Sequence, residues 1–118
     1  MTRRTERIGE QIRAEVARMI REEVTDPRVG MVVLTRVDVA PDLSNATVYF
    51  STLESSEERV GEIEDGLESA ASFMRRKLSK MLTLRRTPAL HFRHDPSLGQ
   101  GDEMLRLIRE VNKGTNGS

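Results

Sequence analysis

The apolar residues of this chain keep changing their spacing, and the order of those changes restricts the fold more than any other feature. Ile8, Ile12, Val16, Met19 with Ile20, and Val24 recur three or four apart, the spacing of one helix face. Thr25-Asp26-Pro27 predicts the end of that helix, because proline disfavours helical backbone in the residue before it. Residues 31–39 (MVVLTRVDV) are rich in β-branched side chains and follow Gly30, which predicts a strand. A turn at residues 40–44 leads into Asn45–Thr52, where Ala46, Val48 and Phe50 share one face and Thr47, Tyr49 and Ser51 the other. Two strands joined so tightly pair antiparallel.

A second helical period follows. Ser55 with Glu58 fits a capping box. Val60, Ile63, Leu67, Ala70 with Ala71, Met74, Leu78, and Met81 with Leu82 then hold the helical spacing for more than twenty residues. A helix this long is expected to bend. The bend is expected at Ala70, Ala71 and Ser72, where no large side chain enforces straightness and a serine can hydrogen-bond backward. Pro88 closes the region. Ala89–His94 reads as a third strand with Leu90 and Phe92 inward, and Met104, Leu105, Ile108 and Val111 mark a short last helix. The order is α-β-β-α-kink-α-β with a short C-terminal helix, an α+β layer architecture with a mixed sheet. Residues 1–112 are expected to form a single domain and residues 113–118 a disordered tail.

Charge has to be read by position, because Lys+Arg and Asp+Glu are equal at 19 each. Residues 54–68 hold seven acidic side chains and one basic, Arg59; residues 75–86 hold six basic and none acidic. The long helical segment is therefore acidic in its first half and basic in its second. Arg75, Arg76, Lys77, Lys80, Arg85 and Arg86 are candidate phosphate contacts, as are Arg3, Arg4 and Arg7 near the N-terminus. On composition alone a solvated basic face is the commoner meaning of such a run; the spacing of Arg75, Arg76 and Lys80 on one helix flank, with Arg85 and Arg86 extending it, favours the phosphate-binding reading.

Other chemistry finds little support. Without cysteine there are no disulfides or thiolate metal sites, which suits a reducing, cytoplasmic setting. No apolar run approaches a membrane span, and the first residues, MTRRTERIGEQ, lack the apolar stretch of a signal peptide. His91 and His94 with Asp95 would be metal ligands only if they converged, but residues three apart on a strand face opposite ways. Asp38 and Asp42 flank a turn and read as solvated. Neither a catalytic dyad nor a glycine-rich phosphate loop is recognisable, so no enzyme, cofactor or metal is expected. With Tyr49 the one aromatic expected to be exposed, backbone and shape recognition of structured RNA fits better than stacking on many bases.

Several stretches in order carry a resemblance: Arg7-Ile8 and its helix, Asp26-Pro27-Arg28-Val29-Gly30, Asp42-Leu43 leading into Ala46-Thr47-Val48-Tyr49, the segment from Ala70 to Arg75, and Leu84 to Phe92 with Asp95 and Ser97. From about Arg7 to Val111 the chain resembles the bacterial ribosome-binding factor A family. The resemblance implies a type II KH-like domain without the glycine-rich RNA clamp, in which an Ala-x-Gly kink takes the clamp's place; here Ser72 stands where glycine is usual, which leaves the backbone less free. It also implies a non-enzymatic, monomeric, cytoplasmic factor. That factor would bind the free 30S small ribosomal subunit and its 16S rRNA, assist late maturation including 5′-end processing, and support growth in the cold. A protein–protein adaptor using the acidic helix is the alternative, and a small RNA-processing enzyme a third.

Overall fold

The computed structural model describes residues 3–24, 29, 32–53, 56–84 and 86–96. Helix α1, Arg3–Glu22, buries Ile8, Ile12, Val16 and Met19, the stripe set by the sequence period. Thr5 and Gly9 are buried beside them. Gly9 sits so close to the sheet that a Cβ there would stand 2.8 Å from the carbonyl oxygen of Val37. The helix stops at Glu22, two residues before the expected end. The amides of Glu23 and Val24 both donate to the carbonyl of Met19, at 2.7 and 3.0 Å. That doubled acceptor closes the last turn before the proline segment, which lies outside the described residues.

Strands β1, Val32–Val39, and β2, Asn45–Thr52, pair antiparallel, with Val39 opposite Ala46, Val37 opposite Val48 and Leu34 opposite Phe50. The turn between them holds Leu43 at a φ of 62°, a left-handed conformation unusual for leucine. Its side chain is buried in the core, and its amide bonds to the Ala40 carbonyl at 2.8 Å. Burial of a leucine stabilises by roughly 1.5–3 kcal/mol, enough to hold that backbone strain. The carboxylate of Asp42 completes the turn by accepting from the amide and hydroxyl of Ser44 at 3.0 and 2.6 Å.

Helix α2, Glu57–Met81, buries Ile63, Leu67, Ala71, Met74 and Leu78. Its cap is Ser56, whose hydroxyl accepts from the amide of Arg59 at 3.1 Å, rather than Ser55. Arg59 therefore stands where the box expected Glu58, so no carboxylate at that position can accept from the Ser56 amide, and the returning bond of a capping box is not made. Ala70, Ala71 and Ser72 lie inside this one helix, which continues through all three. The serine that bonds backward is Ser69, to the carbonyl of Asp65 at 2.9 Å.

Strand β3, Ala89–His94, runs parallel to β2, giving the mixed sheet order β1-β2-β3. Inner-face residues line up across it: Val39, Ala46 and Leu90 in one row, Val37, Val48 and Phe92 in the next. Helix α1 packs on β1 and α2 on β3, so both helices join one apolar cluster around Ala46, Val48 and Phe50 of the central strand. The result is an α+β, KH-like two-layer domain in which no helix among the described residues covers the other sheet face. The C-terminal helix and tail expected from the sequence, and Arg85, lie outside the described residues.

Candidate nucleic-acid interface

The inward stripe of α2 decides which of its cations face solvent. With Leu67, Ala71, Met74 and Leu78 buried, the helical period leaves Arg75, Arg76, Ser79 and Lys80 exposed, and Phe73 and Lys77 half-buried on the flank. Lys77 turns towards the end of α1, where its ammonium meets Glu23 at 3.0 Å and stands 5.6 Å from the Phe73 ring centroid. The hydrogen bond from Lys77 holds the Glu23 carboxyl below its ordinary range. One turn on, Met81 Sδ lies 3.8 Å from the guanidinium of Arg18. Beyond the helix, Thr83 and Leu84 border a cleft of 350 Å³ together with Arg3, Arg4, Arg7 and Ile8. The chain from Lys77 to Leu84 thus runs antiparallel alongside α1, from its C-terminal end to its N-terminal end.

This brings two basic clusters, remote in sequence, to one side of the molecule. Their members are not equivalent. Arg75 donates through Nε and Nη2 to the carbonyl of Thr87, at 3.1 and 2.9 Å, and pins α2 to the approach of β3. Lys77 is paired. Arg76, Lys80, Arg86, Arg3, Arg4 and Arg7 are exposed and form no ion pair among the described residues. Of the other cations of α1, Arg13 meets Glu10 at 3.0 Å and Arg18 meets Glu15 and Glu22 at 3.2 and 2.9 Å, while Arg21 is exposed and forms no ion pair among the described residues.

The acidic half of α2 has a task that the sequence alone did not reveal. Glu68 Oε1 accepts from the amide of Phe92 at 2.7 Å and Glu64 Oε2 from that of His94 at 3.2 Å. Four residues of helix rise about 6 Å and two residues of strand about 6.6 Å, so the two ladders match. These carboxylates cover amides that an edge strand would otherwise present to solvent. The one available signal was a glutamate pair four apart beside the buried stripe.

The remaining candidates are tied up separately. His91 Nε2 lies 2.8 Å from Asn45 Oδ1 on the outer face, while the ring of His94 packs 5.6 Å from Phe50 on the inner side, as strand alternation requires. Asp95 is buried and accepts from the Thr35 hydroxyl at 2.9 Å. Asp38 meets Arg36 at 3.4 Å, and Asp42 is engaged by Ser44, whose hydroxyl lowers its carboxyl pKa. Among the described residues no three His, Asp or Glu side chains converge as a metal site, and no helix is long and apolar enough to cross a membrane.

The fold and this face define a small KH-like α+β domain with a cationic flank built from its two helices. The family model for ribosome-binding factor A matches residues 4–108. A ribosome-binding factor A from Dechloromonas aromatica is 44% identical over 109 residues, covering 92% of this chain and 87% of that protein. The solution structure of a putative ribosome-binding factor A from Thermotoga maritima superposes with a TM-score of 0.69 at 27% identity, over 85% of this chain and 94% of that one. A Thermus thermophilus ribosome-binding factor A, fitted as a homology model into a cryo-electron-microscopy map of its 30S complex, superposes with a TM-score of 0.60 at 23% identity, over 75% and 91% of the two chains. The chain belongs to the ribosome-binding factor A family.

Proposed function

We propose that this protein is a non-enzymatic, cytoplasmic assembly factor that binds the free 30S subunit and assists late maturation of its 16S rRNA. The observation that carries the reading is membership of the family, one of whose members was fitted into a 30S complex. The unpaired cations add a physical mode of attachment. Arg76, Lys80 and Arg86 with Arg3, Arg4 and Arg7 would hold phosphates, with Arg85 of the same run. Arg75 and Lys77 would act mainly by fixing the helix that carries the others. Ala70, half-buried, and Ser72, exposed, give α2 a low relief over which an RNA backbone can approach. The exposed Glu57, Glu58 and Asp65 in the first part of α2, which do not engage β3, would repel phosphate and so limit the docking pose. Effects on 5′-end processing and on growth in the cold would follow indirectly, through nucleases that cut correctly folded RNA.

The adaptor reading loses ground because Glu64 and Glu68 are already bound to β3. Sedimentation of cell extract on a sucrose gradient tests the proposal. The protein should travel with free small subunits and be nearly absent from translating ribosomes. Equal amounts on both, or none on either, would overturn it.

A further inference from the structure

The sheet face that no helix among the described residues covers holds a second arrangement, separate from the basic helix flank. Strand β1 contains a bulge: Leu34 pairs with Phe50, yet Arg36 pairs with Tyr49, and Thr35 is the extra residue. Without that insertion Thr35 would stand opposite Tyr49. With it, the Arg36 guanidinium lies over the Tyr49 ring, 4.0 Å from its centroid. Asp38 holds the Arg36 Nε at 3.4 Å, and buried Asp95, which binds the Thr35 hydroxyl, lies 3.8 Å from Nη1. The ring is therefore backed by a fixed cation.

On the other side Tyr49 borders a cleft of 690 Å³ that Arg36 does not line. The register sets Arg93 of β3 beside Tyr49, and Arg93 is exposed with no ion pair among the described residues. The amide of Asn45 and the imidazole of His91, which meet each other at 2.8 Å, line the same cleft and keep a second amide hydrogen and Nδ1 for a ligand, and Glu64 and Glu68 form a wall of it. A flat ring, a mixed donor and acceptor edge, and a neighbouring anion are what this set of groups would satisfy together.

We propose that this cleft receives one unpaired nucleotide of an RNA strand, its base stacked on Tyr49, its edge towards Asn45 and His91, and its phosphate on Arg93. The choice of RNA as the source of the nucleotide rests on the proposed function; the site itself is independent of the helix flank. A peptide is the poorer fit. The Phe92 and His94 amides are already taken by Glu68 and Glu64, so an extended chain could not join the sheet at this edge without displacing both. The large apolar side chains exposed among the described residues, Leu53 and Met81, line no part of this cleft.

Tyr49 is the only tyrosine and the chain has no tryptophan, so its intrinsic fluorescence reports this site alone. Purified protein is titrated with an unstructured pentaribonucleotide and, separately, with an abasic pentamer of the same charge. Binding is followed in parallel by anisotropy of labelled RNA. The intact pentamer should quench the tyrosine saturably and the abasic one should not. The quench should persist in an Arg76→Glu/Lys80→Glu variant, which removes the helix surface. Tyr49→Phe should keep anisotropy-detected binding in that background, and Tyr49→Thr, which suits a strand, should weaken it roughly five- to 150-fold. Binding without quenching, equal quenching by abasic RNA, or no binding of either pentamer would overturn the site. Each of these results would leave the sedimentation test of small-subunit binding to stand or fall separately.

Discussion

Replacing Gly9 by alanine sets two effects of known sign against each other. Alanine is favoured over glycine inside a helix by about 1 kcal/mol. The added Cβ would meet the Val37 carbonyl at 2.8 Å, about 0.6 Å short of the 3.4 Å at which ordinary contact begins. The obstacle is strand backbone, so α1 has to retreat. A gap of 0.5–1 Å forfeits a quarter to a half of each dispersion contact of about 0.1–0.2 kcal/mol. Ile8 and Ile12 flank Gly9 on the buried face, and a few tens of their contacts weakened in this way sum to about 2–3 kcal/mol. The clash wins, and Gly9→Ala should destabilise the domain by about 1–2 kcal/mol in urea unfolding. Gly61 is the control, since a Cβ there meets nothing within 4 Å; Gly61→Ala should stabilise by about 0.5–1 kcal/mol. If Gly9→Ala were as stable as Gly61→Ala, α1 would not lie on β1 at Val37, and the layer packing described above would be wrong.

Three further outcomes follow from side-chain contacts. Arg75→Ala should cost about 1 kcal/mol through the lost Thr87 carbonyl bonds, while Arg76→Ala should stay within about 0.5 kcal/mol of the parent in the same unfolding assay. Glu64→Ala with Glu68→Ala should cost about 1–2 kcal/mol and speed hydrogen exchange at the Phe92 and His94 amides, whereas Glu68→Gln, which keeps an acceptor, should leave the Phe92 amide protected. The folded state lowers the Glu23 carboxyl below its ordinary value of 4.5, so its contribution is present above that pH and lost as pH falls through the folded value. The stability gap between the parent and Glu23→Gln should therefore narrow below about pH 4.5, and a gap that stayed constant into acid would show that Lys77 does not stabilise the carboxylate.

The fold was legible wherever a period was long enough to fix a face. Ala46, Val48 and Phe50, Leu90 and Phe92, and Ile63, Leu67, Ala71, Met74 and Leu78 of the α2 stripe are all buried as their spacing requires, and β2 and β3 have the expected bounds. What escaped depends on a partner distant in the chain. The bulge at Thr35 exists only against β2, so no pattern within β1 could disclose that Arg36 covers Tyr49. Glu64 and Glu68 looked like part of an acidic surface because the edge they bind comes from β3, more than twenty residues later. Among the basic candidates, charge alone could not separate Arg75, held by Thr87, and Lys77, held by Glu23, from Arg76 and Lys80. Local shifts at Ser56 and Glu22 are cap effects of one or two residues, set by which hydroxyl or carbonyl the last turn reaches.

The proposal that the cationic helix flank docks on small-subunit RNA is tested most directly by binding of the Arg76→Glu/Lys80→Glu variant to purified 30S subunits across a series of salt concentrations. Each phosphate contact contributes about 0.7–0.9 to the slope of log affinity against log salt. The variant should keep parental thermal stability, bind more weakly at every salt concentration, and show a slope smaller by about 1.4–1.8 for the two lost contacts. A folded variant that bound with parental affinity and an unchanged slope would contradict the proposal.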